Sequence, residues 1–383
     1  MSADLSYPAA PFSEAAEQLR TEVRAFLAEE LAGVPPLVRA KSWNGFDAAF
    51  SRKLGARGWI GMTWPTQYGG HARSNAERYV VVEETLASGA PVAAHWIADR
   101  QSGPLLLRYG TEAQKQRYLP GMAAGETYTC IGMSEPDVGS DLAAVRTRAE
   151  PVEGGFRING TKLWTTNAHN AQFMLLFCRT SGTPADRHKG TSQILVDLSL
   201  PGIDIRPITD LAGERHFNEV VFDDAFVPAD ALIGAEGNGW EQVMSELAYE
   251  RSGPERFLSS MALLVEMTRL LGTTPGDAAE AAVGRLVAHL MTLRRMSRGV
   301  AAMLENKQDA GLHATIVKDL GALFEQEIPD IARQLIAVAP NAPATREFGK
   351  LLAYTVASVP AFSLRGGTRE ILRGIIARGL GLR

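Results

Sequence analysis

Apolar residues recur at helical spacing through the first third of the chain, alternate in short runs through the middle, and return to a helical period over longer spans near the end. Across 13–31, Leu19, Val23, Phe26 and Leu27 share one stripe. Ser13 is placed to cap this helix, and Glu14 and Glu17 to meet its positive end. Further helices are predicted at 47–57, 75–87, 93–109 and 112–124, with a break at WIGMTWPTQYGG, where Pro65 and the Gly69, Gly70 pair interrupt the period. From about Cys130 to Gly234 the runs become short and strand-like: 156–158, 174–178, 193–196 and 219–222. Asn159 and Gly160 between two such runs predict a hairpin, because a two-residue type I′ turn needs positive φ at both central positions. After Gly239 four longer apolar-striped segments follow, at 240–271, 278–306, 314–338 and 345–357, with a short amphipathic end at 371–378.

These patterns predict an α+β chain in three parts. An N-terminal all-α domain covers 1–125, a central antiparallel β-barrel domain 126–235, and a C-terminal four-helix bundle 236–383. A chain of 383 residues is long for one core, which agrees with several domains.

Composition narrows the function classes. With 45% hydrophobic and 21% charged residues and no apolar run of membrane-spanning length, a globular protein without a membrane span is expected. The net charge of −4 and the lack of a dense Lys/Arg block argue against nucleic acid as partner. Cys130 and Cys178 are the only cysteines, too few for a disulfide framework, and the opening MSADLSYPAAPFSE has no signal or transit pattern. A cytoplasmic location is therefore expected. No His or Cys spacing suggests a metal site.

Candidate chemistry concentrates in two strings. MSEPDVGSD, from Met133 to Asp141, sets Gly139 and Ser140 beside an acidic pair and a proline. Such a loop lets backbone N–H groups approach a phosphate or a planar ring. GTKLWTTN, from Gly160 to Asn167, puts Trp164, Thr165 and Thr166 on one strand. Each string alone also fits ordinary turn or strand chemistry.

Together and in order, the motifs resemble those of the acyl-CoA dehydrogenase family over nearly the whole chain. The family pattern [ST]-E-P-x-x-G-S-D is matched from Ser134 to Asp141, and N-G-x-K-x-W-x-T-N from Asn159 to Asn167. WPTQYGG at 64–70, a P-x-x-x-x-Y-G-T pattern from Pro104 and GGTREILR from Gly366 agree more loosely. The resemblance implies bound FAD, an acyl-CoA thioester as substrate, α,β-desaturation by α-proton abstraction and β-hydride transfer to the flavin, and an electron-transferring flavoprotein as partner. It implies that Met133 and Ser134 meet the flavin's pyrimidine edge, and that Ser140, after Gly139, meets the diphosphate or the thioester. Trp164 would pack on the ring, Thr166 bond its N5 or O4 edge, and Thr368 touch the cofactor near the C-terminus. The thioester carbonyl would be met by the Gly366 N–H and a ribityl hydroxyl.

The base departs from the commonest pattern. Many relatives read Y-E-G-T in the C-terminal motif, with the Glu as base, whereas this chain reads Arg365, Gly366, Gly367, Thr368. A branch that includes isovaleryl-CoA dehydrogenase-like enzymes carries the base on a helix in an L-x-x-E-R pattern. Leu247 to Arg251 matches it, which implies Glu250 as base with Arg251 beside it. Its pKa is expected to rise once substrate excludes water. The R-x-x-F-G and Q-x-x-G-G-x-G segments through which a neighbouring subunit usually reaches FAD have no recognisable match. A homo- or hetero-oligomer, dimer or tetramer, is expected. The alternatives are a partner subunit of a heteromeric dehydrogenase, or a flavin oxidase, desulfinase or monooxygenase on the same fold.

Overall fold

The computed structural model describes residues 5–8, 11–337 and 342–382, with backbone alone at 246–250 and 252. In chain order the helices are α1 (Glu14–Glu30), α2 (Pro36–Arg39), α3 (Ala48–Ala56), α4 (Asn75–Ala87), α5 (Ala93–Ile97), α6 (Gly103–Tyr109) and α7 (Glu112–Ala123). Seven strands follow: β1 (Thr129–Gly132), β2 (Arg148–Val152), β3 (Gly155–Thr166), β4 (Phe173–Arg179), β5 (Thr191–Asp197), β6 (Ile203–Ile208) and β7 (Phe217–Pro228). The chain then returns to helix with α8 (Gly239–Ser252), α9 (Met261–Leu271), α10 (Asp277–Glu305), α11 (Gly311–Leu335), α12 (Pro343–Ser358) and α13 (Arg369–Gly379).

The caps explain several helix starts. Ser13 accepts the Ala16 N–H, Asp47 accepts that of Phe50, and Ser74 with Glu77 closes a reciprocal capping box on α4. α5 and α6 are one helical stretch interrupted by a π-turn at Ala98–Ser102, a local widening that apolar period alone does not reveal. The segment predicted as one helix over 240–271 is two. Gly253 precedes Pro254, which lacks an N–H and disfavours helical dihedrals in the residue before it, so α8 ends at Ser252.

The sheet runs β1-β4-β2-β3-β7-β6, with β5 on the other side of β4. It is antiparallel except that β1 and β2 both run parallel to β4. The predicted hairpin at Asn159 and Gly160 does not form. β3 continues through both residues and pairs with β7 on either side of a bulge. Gly160 is needed instead for close approach: a Cβ there would lie 2.7 Å from the Thr147 Cα, and the Asn159 side chain accepts the Asp224 N–H. The turn between β2 and β3 falls earlier, at Gly154 (φ 79°).

The chain forms two compact units. One contains Met1–Gly45, Arg73–Val92 and Ala248–Arg383, and the other Phe46–Ala72 and Ala93–Leu247, so that the division falls within α8. In the sheet-containing unit, Ile158, Met174, Leu176, Ile194 and Val220 fill one face of the sheet. Leu175 and Leu195 on the other face meet Leu105, Leu106 and Leu119 from α6 and α7. In the helical unit a buried charge cluster joins α1, α4 and α10. Arg20 donates to Glu83 and Glu84, Arg24 to Glu84, and Arg294 to Glu83.

Candidate active site

The sheet unit carries both motifs, MSEPDVGSD and GTKLWTTN, and one buried ion pair joins them. Lys162 on β3 is fully buried, and its ammonium donates to the Glu135 carboxylate at 2.8 Å and to the Met133 carbonyl at 3.0 Å. Glu135 also accepts the Arg146 and Thr147 N–H groups, each at 2.8 Å. Pro136 and Asp137 form the corner of a tight turn whose ends, Glu135 and Val138, exchange backbone hydrogen bonds. Leu163 N–H donates to the Ser134 carbonyl at 2.9 Å. Met133 and Ser134 are thus bolted to β3 by the Glu and Lys of the two motifs. Burial alone would raise the Glu135 carboxyl, but Lys162 and the Thr147 N–H outweigh it and hold the group below the ordinary carboxylate range. On Lys162 burial prevails over Glu135, and the ammonium pKa is lowered.

Beyond this bolt the wall opens to solvent. The β3/β7 register shifts between Lys162 and Thr165, and the bulge turns Trp164 outward in the left-handed region (φ 60°). Its indole is 54% exposed, and its edge meets Phe217 at 5.8 Å between ring centres. A large apolar ring held more than half exposed by a left-handed backbone is not placed as a core residue. The adjacent Thr165 hydroxyl is buried and finds no hydrogen-bond partner among the described residues, while Thr166 is half-buried. Gly139 is exposed, lacks positive φ, and would meet nothing if given a Cβ. Neither backbone conformation nor packing within the chain requires glycine there. An open glycine and an outward indole fit a bound planar group. Ser140 is exposed beside Gly139, and Asp141 next to it is engaged by Arg187.

The helical unit carries the remaining expected residues. Gly366 and Gly367 have φ of 67° and 98°, a turn that side chains rarely tolerate. Arg251 is buried, donates from Nε to the Gly366 carbonyl at 3.4 Å, and reaches to 3.5 Å of a Cβ placed on Gly367. Arg251 and Gly366, predicted separately from distant motifs, are therefore in contact. Thr368 caps α13, accepting the Ile371 N–H, and its hydroxyl is hydrogen-bonded to Glu370. Glu370 is exposed at the α13 start and lowered in pKa by its own backbone N–H and by Thr368. The side chain of Glu250 lies outside the described residues, on the last turns of α8. Of the nearby carboxylates, Glu255 is buried, and Glu246 is described by backbone alone.

Thiol chemistry has no support. Both cysteines are buried and free, and burial pushes Cys178 up to about 12 and Cys130 further. What sequence reasoning missed was the joining role of Glu135 and Lys162. Both occupy fixed positions in the two motifs, which is the signal that could have paired them.

Known proteins resemble this chain over most of its length. The description "Acyl-CoA dehydrogenase, N-terminal domain" matches residues 13–126, and "Acyl-CoA dehydrogenase, middle domain" matches 130–225. Acyl-CoA dehydrogenase IpdE1 of Mycobacterium tuberculosis is 33% identical, covering 96% of this chain and 97% of its own length. Among solved structures, a Tcur3481-Tcur3483 steroid ACAD superposes with a TM-score of 0.84 at 28% identity, over 99% of this chain and 98% of the other. The ChsE4-ChsE5 complex from Mycobacterium tuberculosis gives 0.81 at 26% identity, over 97% and 98%. Isovaleryl-CoA dehydrogenase of Pongo abelii is 34% identical over 62% of this chain and 57% of its own. The chain belongs to the acyl-CoA dehydrogenase family.

Proposed function

We propose that the protein is an FAD-dependent acyl-CoA dehydrogenase that converts the Cα–Cβ single bond of an acyl-CoA thioester to a double bond. The observation that carries this reading is the outward, strained Trp164 on a wall whose Met133 and Ser134 are locked to β3 by the Glu135 and Lys162 pair. In this reading Trp164 packs on the isoalloxazine ring and Thr166 bonds its polar edge. Met133 and Ser134 present backbone groups to the pyrimidine side, and Gly139 with Ser140 lets the phosphate or thioester approach. Thr368, at the start of α13, touches the cofactor. FAD bound there supplies the acceptor for the β-hydride.

The Glu250 carboxylate takes the α-proton, and the electron pair released from that C–H bond forms the new π bond as hydride leaves Cβ. The Gly366 N–H meets the thioester oxygen, where negative charge develops as the proton leaves. Arg251 sets the Gly366 carbonyl and orients or screens the base. The electrons pass on to an electron-transferring flavoprotein, and the protein works in the cytoplasm.

A second reading makes the chain one member of a two-chain assembly. It is supported by the missing R-x-x-F-G and Q-x-x-G-G segments, and by two structural relatives whose names join two proteins. The experiment is reconstitution with FAD followed by anaerobic titration with straight, branched and cyclic acyl-CoAs, watching flavin absorbance. Bleaching by one class supports the dehydrogenase. A chain that takes up no FAD alone supports the partner-subunit reading, and flavin uptake without bleaching by any acyl-CoA favours oxidase, desulfinase or monooxygenase chemistry.

A further inference from the structure

The residue before Gly366 is an arginine at a position where the Y-E-G-T pattern has tyrosine, and its surroundings are dense. Arg365 Nη2 donates to both oxygens of Glu325, at 2.9 and 3.2 Å, to Ser259 Oγ at 2.7 Å and to the Glu255 carbonyl at 3.1 Å. Its guanidinium carbon sits 4.3 Å from the ring centres of both Trp43 and Phe362. Glu325, on α11, is fully buried and also accepts the Ser259 N–H at 2.8 Å.

A buried ion pair of this kind adds little net stability over apolar packing, because desolvation offsets the attraction. A stacked, hydrogen-bonded guanidinium does provide a fixed plane. That plane matters because the next two residues are glycines. Gly366 and Gly367 have no side chains to anchor their turn and hold left-handed dihedrals, so the turn must be set from outside. The Gly366 N–H lies in the peptide plane that begins at the Arg365 Cα. Arg365 fixes the start of that plane, and the Arg251 bond to the Gly366 carbonyl fixes the next one.

We infer that Arg365, clamped by Glu325, Trp43 and Phe362, is a positioning residue that aims the Gly366 N–H at the thioester oxygen. This rests on the dehydrogenase reading, in which that N–H is the carbonyl's donor. A misplacement of about 1 Å in such a donor costs about 100-fold in rate.

The test uses the FAD-loaded protein with Arg365→Lys, which keeps the charge and loses the planar fork. The probe is a 3-thia-acyl-CoA, in which sulfur replaces the β-carbon, so the α-proton can leave but no β-hydride is available. Its ionisation on the protein is read as a long-wavelength absorbance band titrated against pH. Arg365→Lys is expected to bind the probe within about threefold of wild type, to move the band's midpoint up by about 2 pH units, and to lower kcat about 100-fold with KM little changed. A role confined to folding would alter thermal stability and FAD loading but leave the midpoint in place. Arg333→Gln, at an exposed pair on the same α11, is expected to leave all of these unchanged. Should Arg365→Lys fail to fold, Glu325→Gln, which retains the stacked arginine, is measured the same way with the same expected shift. An unchanged midpoint and kcat in a folded variant overturns the inference alone. A wild-type protein that neither bleaches with any acyl-CoA nor forms the band overturns the dehydrogenase reading, and this inference with it.

Discussion

Replacing Glu135 by glutamine tests whether the two motifs are held together by their buried pair. Among the described residues Glu135 accepts hydrogen bonds from the Arg146 and Thr147 N–H groups and from the Lys162 ammonium, and Lys162 donates besides to the Met133 carbonyl. Glutamine offers one acceptor oxygen and turns an N–H₂ group toward donors. At least one donor is left unpaired and the Lys162 charge is uncompensated at a site sealed from water. Removing one partner of such a pair costs about 3–5 kcal/mol, a large share of a typical domain's stability of about 5–15 kcal/mol. The assay is amide hydrogen exchange of the peptides covering 129–141 and 160–167. If local opening governs exchange, the loss accelerates those amides, Leu163 among them, by at least about 100-fold. Peptides of α10 and α11, in the other unit, serve as reference and are expected to change little. The double variant Glu135→Gln with Lys162→Met should recover part of the loss, since removing both charges spares the uncompensated one. Exchange in the single variant within about threefold of wild type would refute the claim that this pair bolts the wall.

Other outcomes follow from the same geometry. Because Lys162 holds the folded Glu135 carboxyl below its usual range, its contribution is complete above the unfolded value of about 4.3 and is lost as pH falls through the lower folded value. The urea midpoint of wild type should therefore drop more steeply below about pH 4 than that of Glu135→Gln. Trp164→Gly removes an exposed ring and relieves a left-handed residue. It should change cofactor-free stability by no more than about 1 kcal/mol while weakening FAD binding at least about fivefold, measured by fluorescence titration. Glu83→Ala removes one acceptor from the buried Arg20, which keeps Glu84 and Glu17, and takes the carboxylate from Arg294; it should cost about 1–3 kcal/mol by denaturant melt. Arg24→Ala, whose side chain is 64% exposed, should cost less than about 1 kcal/mol.

Periodicity and end signals made most helices legible, because apolar stripes and caps such as Ser13 and Asp47 are local. Where the reading failed, a non-local contact or a single backbone rule decided. Asn159 and Gly160 carry a hairpin signature, yet the glycine serves a close approach by Thr147 from the segment leading into β2, which no short window of sequence contains. Pro254 is a stop inside 240–271 that an apolar stripe continuing on both sides conceals. The candidate site was legible as residue types. That Glu135 and Lys162 are each other's partners, that Trp164 holds positive φ, and that Arg251 touches the Gly366 turn are facts of tertiary register. Arg365 was the least legible. In the sequence it marks only a missing carboxylate beside it, and its role emerges from two rings and a glutamate drawn from distant segments.

The central claim is an acyl-CoA dehydrogenase whose base is Glu250. Its most direct test is anaerobic flavin bleaching of the FAD-loaded protein by its best acyl-CoA, in wild type and in Glu250→Gln. The account predicts rapid bleaching in wild type and a rate lower by about 10²–10⁴ in the variant, with FAD and thioester still bound. Bleaching at the wild-type rate in Glu250→Gln would contradict it.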